Sequence, residues 1–146
     1  MRLKLALAVV ALGAGLSGIA VAADDPIAER QALMQKNQDA AKIIFGMAQG
    51  RVPYDADQAA AAAQSIADDM VEFVTLFPEG SDQGDTSAAP AIWENMDDFK
   101  ARAATMATDA EAAVAAAPNG LDAFVASLAP IGQGCGSCHE AYRLKR

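Results

Sequence analysis

Apolar residues return every three or four positions along most of this chain, the spacing of helices packed on one face and not the alternation of strands. Ile27, Met34, Ile44 and Met47 mark the first stripe, from about Pro26, which suits a first helical turn, to Gln49 ahead of Gly50. A second helix is expected from Asp55 or Asp57, either able to cap it, to Phe77-Pro78-Glu79-Gly80. The third starts near Pro90, carries Ile92, Trp93, Met96, Phe99, Met106 and Val114, and stops before Pro118. Asn119 is expected to cap the fourth, which runs through Leu121, Phe124, Val125 and Leu128 towards Arg146. Pro130 and the glycines Gly132, Gly134 and Gly136 predict a bend or interruption within it. Residues 80–89, rich in Gly, Ser, Asp and Thr, are too many for a tight turn and read as a crossing loop. Four helices with short, long and short connections predict an all-α fold, an antiparallel four-helix bundle.

Composition sharpens that picture. Alanine runs at 59–63 and 112–117 favour helix, and their small side chains let helices approach closely while leaving lateral room for a flat cofactor. The first 22 residues differ from the rest: a basic Met1-Arg2-Leu3-Lys4, an apolar stretch from Leu5 to Ala22, and Ala20-Val21-Ala22 before the acidic Ala23-Asp24-Asp25. That order is a secretory signal peptide over 1–22, which leaves 23–146 as one domain and predicts a periplasmic address. A retained membrane anchor is the alternative, opposed by the Gly and Ala content and by the cleavage site. Cleavage removes Arg2 and Lys4 and takes the formal charge from −8 to −10. So acidic a chain is a poor ligand for nucleic acid; it suits a redox partner with a basic docking surface, or simply solubility. Neither a nucleophile with its base nor a phosphate-binding loop is present, so hydrolytic and transfer enzymes are not expected.

The candidate chemistry lies in Cys135-Gly136-Ser137-Cys138-His139, which holds both cysteines and the one histidine. On a helix the two thiols project about one turn apart, as two thioether links to one porphyrin edge require, and the imidazole behind them can reach iron. The pattern therefore predicts covalent attachment of haem c. A disulfide or thioredoxin-like redox pair competes, but that motif opens a helix in a βαβ unit and no alternating strands precede it. Zinc would need a fourth ligand that the cluster lacks.

With those residues go Arg30-Gln31-Ala32-Leu33-Met34, Val52-Pro53-Tyr54-Asp55-Ala56, Phe77-Pro78-Glu79-Gly80, Pro90-Ala91-Ile92-Trp93 and Glu140-Ala141-Tyr142-Arg143, and in this order they resemble cytochrome c prime and its low-spin relative cytochrome c-556. The resemblance spans the mature chain, and only the haem motif in it is highly specific. It implies Cys135 and Cys138 as thioether ligands and His139 as proximal iron ligand. It further implies Arg30 and Gln31 beside the haem propionates and Asp85 at the haem edge. Guanidinium suits a propionate because it can give two hydrogen bonds, while a solvated arginine is the plain alternative. Arg143, four after His139, is expected on the same helical side, where its cation can bias the imidazole or merely complement the helix dipole.

Met34, four after Arg30, is carried towards the distal iron position if Arg30 meets a propionate. Two functions stay open. With Met34 as sixth ligand the protein is a low-spin periplasmic electron carrier. With Met34 as core filler it is a five-coordinate cytochrome c prime that admits nitric oxide or carbon monoxide. A haem-free helical protein with a Cys135–Cys138 disulfide is the remote third. The resemblance also allows a homodimer, and no stable membrane insertion is expected after cleavage. Met47, Met70, Met96 and Met106 are expected in the core, with Trp93 and Phe99 sealing the bundle near the loop.

Overall fold

The computed structural model describes residues 25–145, so the signal peptide expected over 1–22 lies outside the described residues. Within these residues five α-helices occur: α1 (Pro26–Ala48), α2 (Ala56–Phe73), α3 (Ala91–Glu94), α4 (Met96–Ala116) and α5 (Leu121–Tyr142), with a 3-10 turn over Ala117–Asn119. Among the described residues there is no strand, only an isolated antiparallel bridge between Ala88 and Arg143. No described helix is long and apolar enough to cross a membrane.

Caps fix where the first two long helices start. Asp25 accepts from the backbone N–H groups of Ile27 and Ala28, with Pro26 in the first turn, and Asp55 accepts from that of Gln58. Gly50, at φ +67°, turns the chain after α1. The alanines set the depth of the bundle. Ala59, Ala62, Ala63 and Ala67 of α2 and Ala103, Ala107, Ala110 and Ala113 of α4 are all buried, and α2 and α4 form the most extensive helix pair. Closely seated alanines leave larger residues to fill the remaining core: Ile44, Met47, Ile66, Met106, Phe124, Leu128 and Ile131. Tyr54, just before α2, sends its hydroxyl to the carbonyl of Ala117 and tilts its ring on Phe124 at 5.8 Å. Tyr54→Phe removes that bond and is expected to cost about 1 kcal/mol in urea unfolding.

Four boundaries depart from the sequence reading. Helix α2 ends at Phe73, not Phe77, because successive turns through Thr75 and Leu76 swing Phe77 into the core. The expected third helix is split at Asn95, whose φ −133° and ψ 45° leave the helical region and separate α3 from α4. Asn119 does not cap α5; its amide donates to Ala115 O, and Gly120 at φ +96° opens that helix. Pro130 interrupts nothing. It and Ala126, whose carbonyl loses a donor there, are both exposed, so water can replace the missing bond.

Residues 80–89 lead from beyond the end of α2 past the start of α1, where Arg30 and Gln31 bond Ser81, Asp85 and Thr86. Their far end is tied to the end of α5: Ala89 N–H donates to Tyr142 O at 2.9 Å and Leu144 N–H to Ser87 O at 2.8 Å. Helices α1 and α5, by contrast, touch only lightly.

Candidate haem-binding site

At the loop end of the bundle lies a second buried cluster, Phe77, Ile92, Phe99 and Tyr142, with Phe73, Trp93 and Met96 packed on it. Its rings meet edge to face: Phe77–Phe99 at 4.8 Å, Phe99–Tyr142 at 5.3 Å and Phe77–Trp93 at 5.8 Å between centroids. Trp93 also donates from Nε1 to Pro78 O at 3.2 Å, which anchors the start of the crossing loop. The expected role of Trp93 and Phe99 as a seal is thus observed.

The Cys-x-x-Cys-His segment forms the last turns of α5 and sits at the joint between the two clusters. Cys135 packs on the main core and Cys138 on the aromatic cluster. Both are half-buried free thiols, and burial pushes both thiol pKa values up, which keeps them protonated. His139 is exposed overall, yet partial desolvation of its ring, assisted by the charge of Arg143, lowers its pKa and favours the neutral imidazole that a metal needs. Two unpaired thiols one turn apart, a neutral imidazole and the glycines Gly132, Gly134 and Gly136 around them fit a c-type haem. Gly136 has open space where a Cβ would be. Gly134 lies against Met106 of α4, whose flexible methyl would have to move for a Cβ placed 2.6 Å from it. Among the described residues no three His, Cys, Asp or Glu side chains gather as a cage for zinc.

Arg143 reaches His139 by a route that helical periodicity did not anticipate. Helix α5 stops at Tyr142, and Arg143 adopts extended geometry at φ −116° and ψ 134°, its N–H donating to His139 O at 3.2 Å. The residue after the helix leaves the helical face because it pairs with Ala88 of the loop.

Arg30 is not a solvated arginine; it is only 4% exposed. One terminal nitrogen donates to Leu76 O and Ser81 Oγ, at 3.2 and 3.1 Å, and the other to Ser81 O and Thr86 Oγ1, at 2.5 and 2.9 Å. The guanidinium carbon lies 4.8 Å from the Phe77 centroid and 5.9 Å from that of Trp93. Burial lowers its pKa, opposed by the charges of Asp25 and Asp82. With its terminal N–H groups spent on Leu76 and on Ser81 and Thr86 of the crossing loop, two-bond pairing with a propionate would displace these partners. Gln31 and Asp85 are brought together, the Gln31 amide donating to Asp85 O at 2.7 Å. Ser81 and Thr86 carry no sequence signal for this role; only the enclosing Gly-Ser-Asp-Thr composition marked the loop.

Met34 is half-buried and belongs to neither buried cluster. The other candidate methionines do: Met47 and Met106 are core, and Met70 and Met96 pack on the clusters. Position explains the difference. Phe45 of α1 lies against Gly132 of α5, where a Cβ would be 3.6 Å from its Cζ, and Lys36 reaches Asp69 of α2 at 2.5 Å. At about 100° per residue, Met34 projects on the Phe45 flank, towards the light α1–α5 seam.

Behind Cys138, Tyr142 donates to Asp98 Oδ2 at 2.5 Å and Arg102 Nε to the same oxygen at 2.6 Å. The Tyr142 hydroxyl first, then Arg102, lowers the Asp98 pKa. A depressed carboxylate stabilises the fold above its ordinary pKa of about 3.9 and loses that contribution as pH falls through the lower folded value. Asp98→Asn is therefore expected to flatten the fall of the urea midpoint between pH 5 and pH 3, taken as round working values. An unchanged slope would show that the triad does not govern the acid limb.

Comparison with known proteins agrees with this geometry. A family model described as Cytochrome C' matches residues 25–143. The chain is 36% identical over 146 residues to cytochrome c-556 of Agrobacterium fabrum, covering 100% of this chain and 99% of that protein. It is 34% identical over 152 residues to cytochrome c' of Rhodopseudomonas palustris, covering 100% and 99%. A solved structure of cytochrome c' from Rhodopseudomonas palustris superposes with a TM-score of 0.80 at 32% identity, covering 85% of this chain and 99% of the other.

Proposed function

The chain belongs to the cytochrome c' family, and from that premise we propose that it is a periplasmic electron carrier whose haem is held by Cys135, Cys138, His139 and Met34. Members of this family carry a covalently attached c-type haem and act in electron transfer or gas binding, not as enzymes. The cofactor supplies a one-electron ferric/ferrous couple. Cys135 and Cys138 anchor it by thioether bonds at the joint of the two clusters. His139 supplies the proximal nitrogen, and its lowered pKa keeps that lone pair free across neutral pH.

The observation that carries the electron-carrier reading is the placement of Met34. It is the half-buried methionine that neither core uses, it faces the seam between α1 and α5, and its helix is fixed four residues earlier by the buried Arg30. Met34, holding the haem iron through its thioether, would favour the ferrous state and keep outside ligands off. Arg30, Gln31 and Asp85 hold the crossing loop at the haem edge, and the acidic surface suits a partner with basic docking residues.

A second reading, a five-coordinate site for nitric oxide or carbon monoxide, is supported by the similarity to cytochrome c' of Rhodopseudomonas palustris. Carbon monoxide titration of the matured, reduced protein separates the two. Negligible uptake supports the carrier, and stoichiometric uptake supports the open site. Homodimerisation belongs with either reading and is expected as a doubled mass in sedimentation.

A further inference from the structure

Three buried side-chain polar atoms among the described residues have no hydrogen-bond partner: Asn37 Nδ2, Asn37 Oδ1 and Asp69 Oδ2. Asp69 keeps one bonded oxygen, through Lys36, but the Asn37 amide has neither end satisfied. A buried amide left unpaired bears a full desolvation penalty, so the atoms that complete it are to be sought nearby. The two flanks of α1 locate it. Lys36 points to α2 and Phe45 to α5, and at about 100° per residue Asn37 projects between them, roughly 60° around the helix from Met34 and 20° from Arg30. It thus occupies the interior stripe three residues after Met34, a spacing at which helical side chains are neighbours.

We propose that Asn37 is a positioning residue of the distal haem face: its Nδ2–H, which meets no acceptor in this structure, would donate to the sulfur of Met34 once that sulfur is drawn to the iron. This rests on the reading of Met34 as iron ligand. A thioether sulfur has a second lone pair when the first is on a metal, and an N–H directed at it draws electron density away from the bond to iron. A thioether that donates less is a still softer ligand, and soft thioether ligation is what favours ferrous iron, so the hydrogen bond adds to the bias of Met34 towards the reduced state. It also holds the Met34 side chain in one rotamer, which the half-open α1–α5 seam does not do by packing.

The test uses matured holoprotein with Asn37→Leu, of similar size and without polar atoms, and Asn37→Ala in case the branched side chain does not fit. Three quantities are read: the sulfur-to-iron charge-transfer band, the ferric/ferrous equilibrium and the thermal midpoint. Both variants are expected to move the band and to shift the equilibrium about three- to tenfold towards ferric, the span of one ordinary hydrogen bond. A wild-type band that stays fixed in both variants, with an unchanged equilibrium, overturns this inference alone, whichever way the thermal midpoint moves. A wild-type protein without that band overturns the ligation of Met34 and the inference together.

Discussion

Met34→Ala, which removes the proposed sixth ligand, is expected to give a five-coordinate high-spin haem, with loss of the sulfur-to-iron band and rapid binding of carbon monoxide by the reduced form. The shift in the ferric/ferrous equilibrium should exceed about tenfold towards ferric, or ~59 mV for a one-electron couple. Folding should suffer little by comparison, because Met34 is half-buried and contributes to neither buried cluster. That contrast sets it apart from Met47→Ala, which removes a core side chain only 1% exposed and is expected to cost about 2–5 kcal/mol with the visible spectrum kept. A spectrum unchanged by Met34→Ala would place the protein among the open-site members of the family.

The second large effect is expected at Arg30. Its guanidinium joins α1 to the carbonyls of Leu76 and Ser81 and to the hydroxyls of Ser81 and Thr86, under the rings of Phe77 and Trp93. Arg30→Ala leaves two carbonyls without that donor and a void beneath the aromatic cluster, so a loss of about 3 kcal/mol is expected. For a domain of this size that corresponds to a fall of roughly 10 °C in Tm. The crossing loop is also tied to Tyr142, three residues beyond His139, so its release should broaden the haem spectrum as well. Arg30→Lys should recover less than half of the stability, since one ammonium cannot span the four acceptors that a planar fork reaches. Thermal unfolding followed at a haem band and by far-UV circular dichroism checks both effects. A Tm within a degree or two of wild type for Arg30→Ala would show that the loop holds without its clasp.

Much of this was readable in the residues, and the reasons for the rest are physical. Helix positions followed from apolar spacing, from Pro26 in a first turn, from Asp55 as a cap, and from Gly50, because each acts within a few residues of itself; the Asp25 cap carried no such reading. The Cys135–His139 motif was legible for the same reason: one helical turn contains its whole geometry. What depended on partners distant in sequence was not. Arg30 meets Ser81 and Thr86 across more than fifty positions, so its burial could not be separated from an ordinary solvated arginine. Arg143 lost its helical register to a bridge with Ala88, and Phe77 left its helix to join the rings of Trp93 and Phe99 from two other elements. Pro130, expected to bend or interrupt α5, does not end it because its turn faces water, a property of the packing and not of the residue. Asn37 looked like any polar position on α1 until its amide was found buried without a partner.

The central claim, that Cys135, Cys138, His139 and Met34 together hold a low-spin haem, is tested most directly by the visible spectrum of the matured protein in its oxidised and reduced states. Sharp, resolved low-spin bands with a sulfur-to-iron charge-transfer feature in the oxidised form are predicted. Broad high-spin bands in both states would contradict the claim and make diatomic-gas binding the function of this site, and a colourless protein would contradict haem attachment itself.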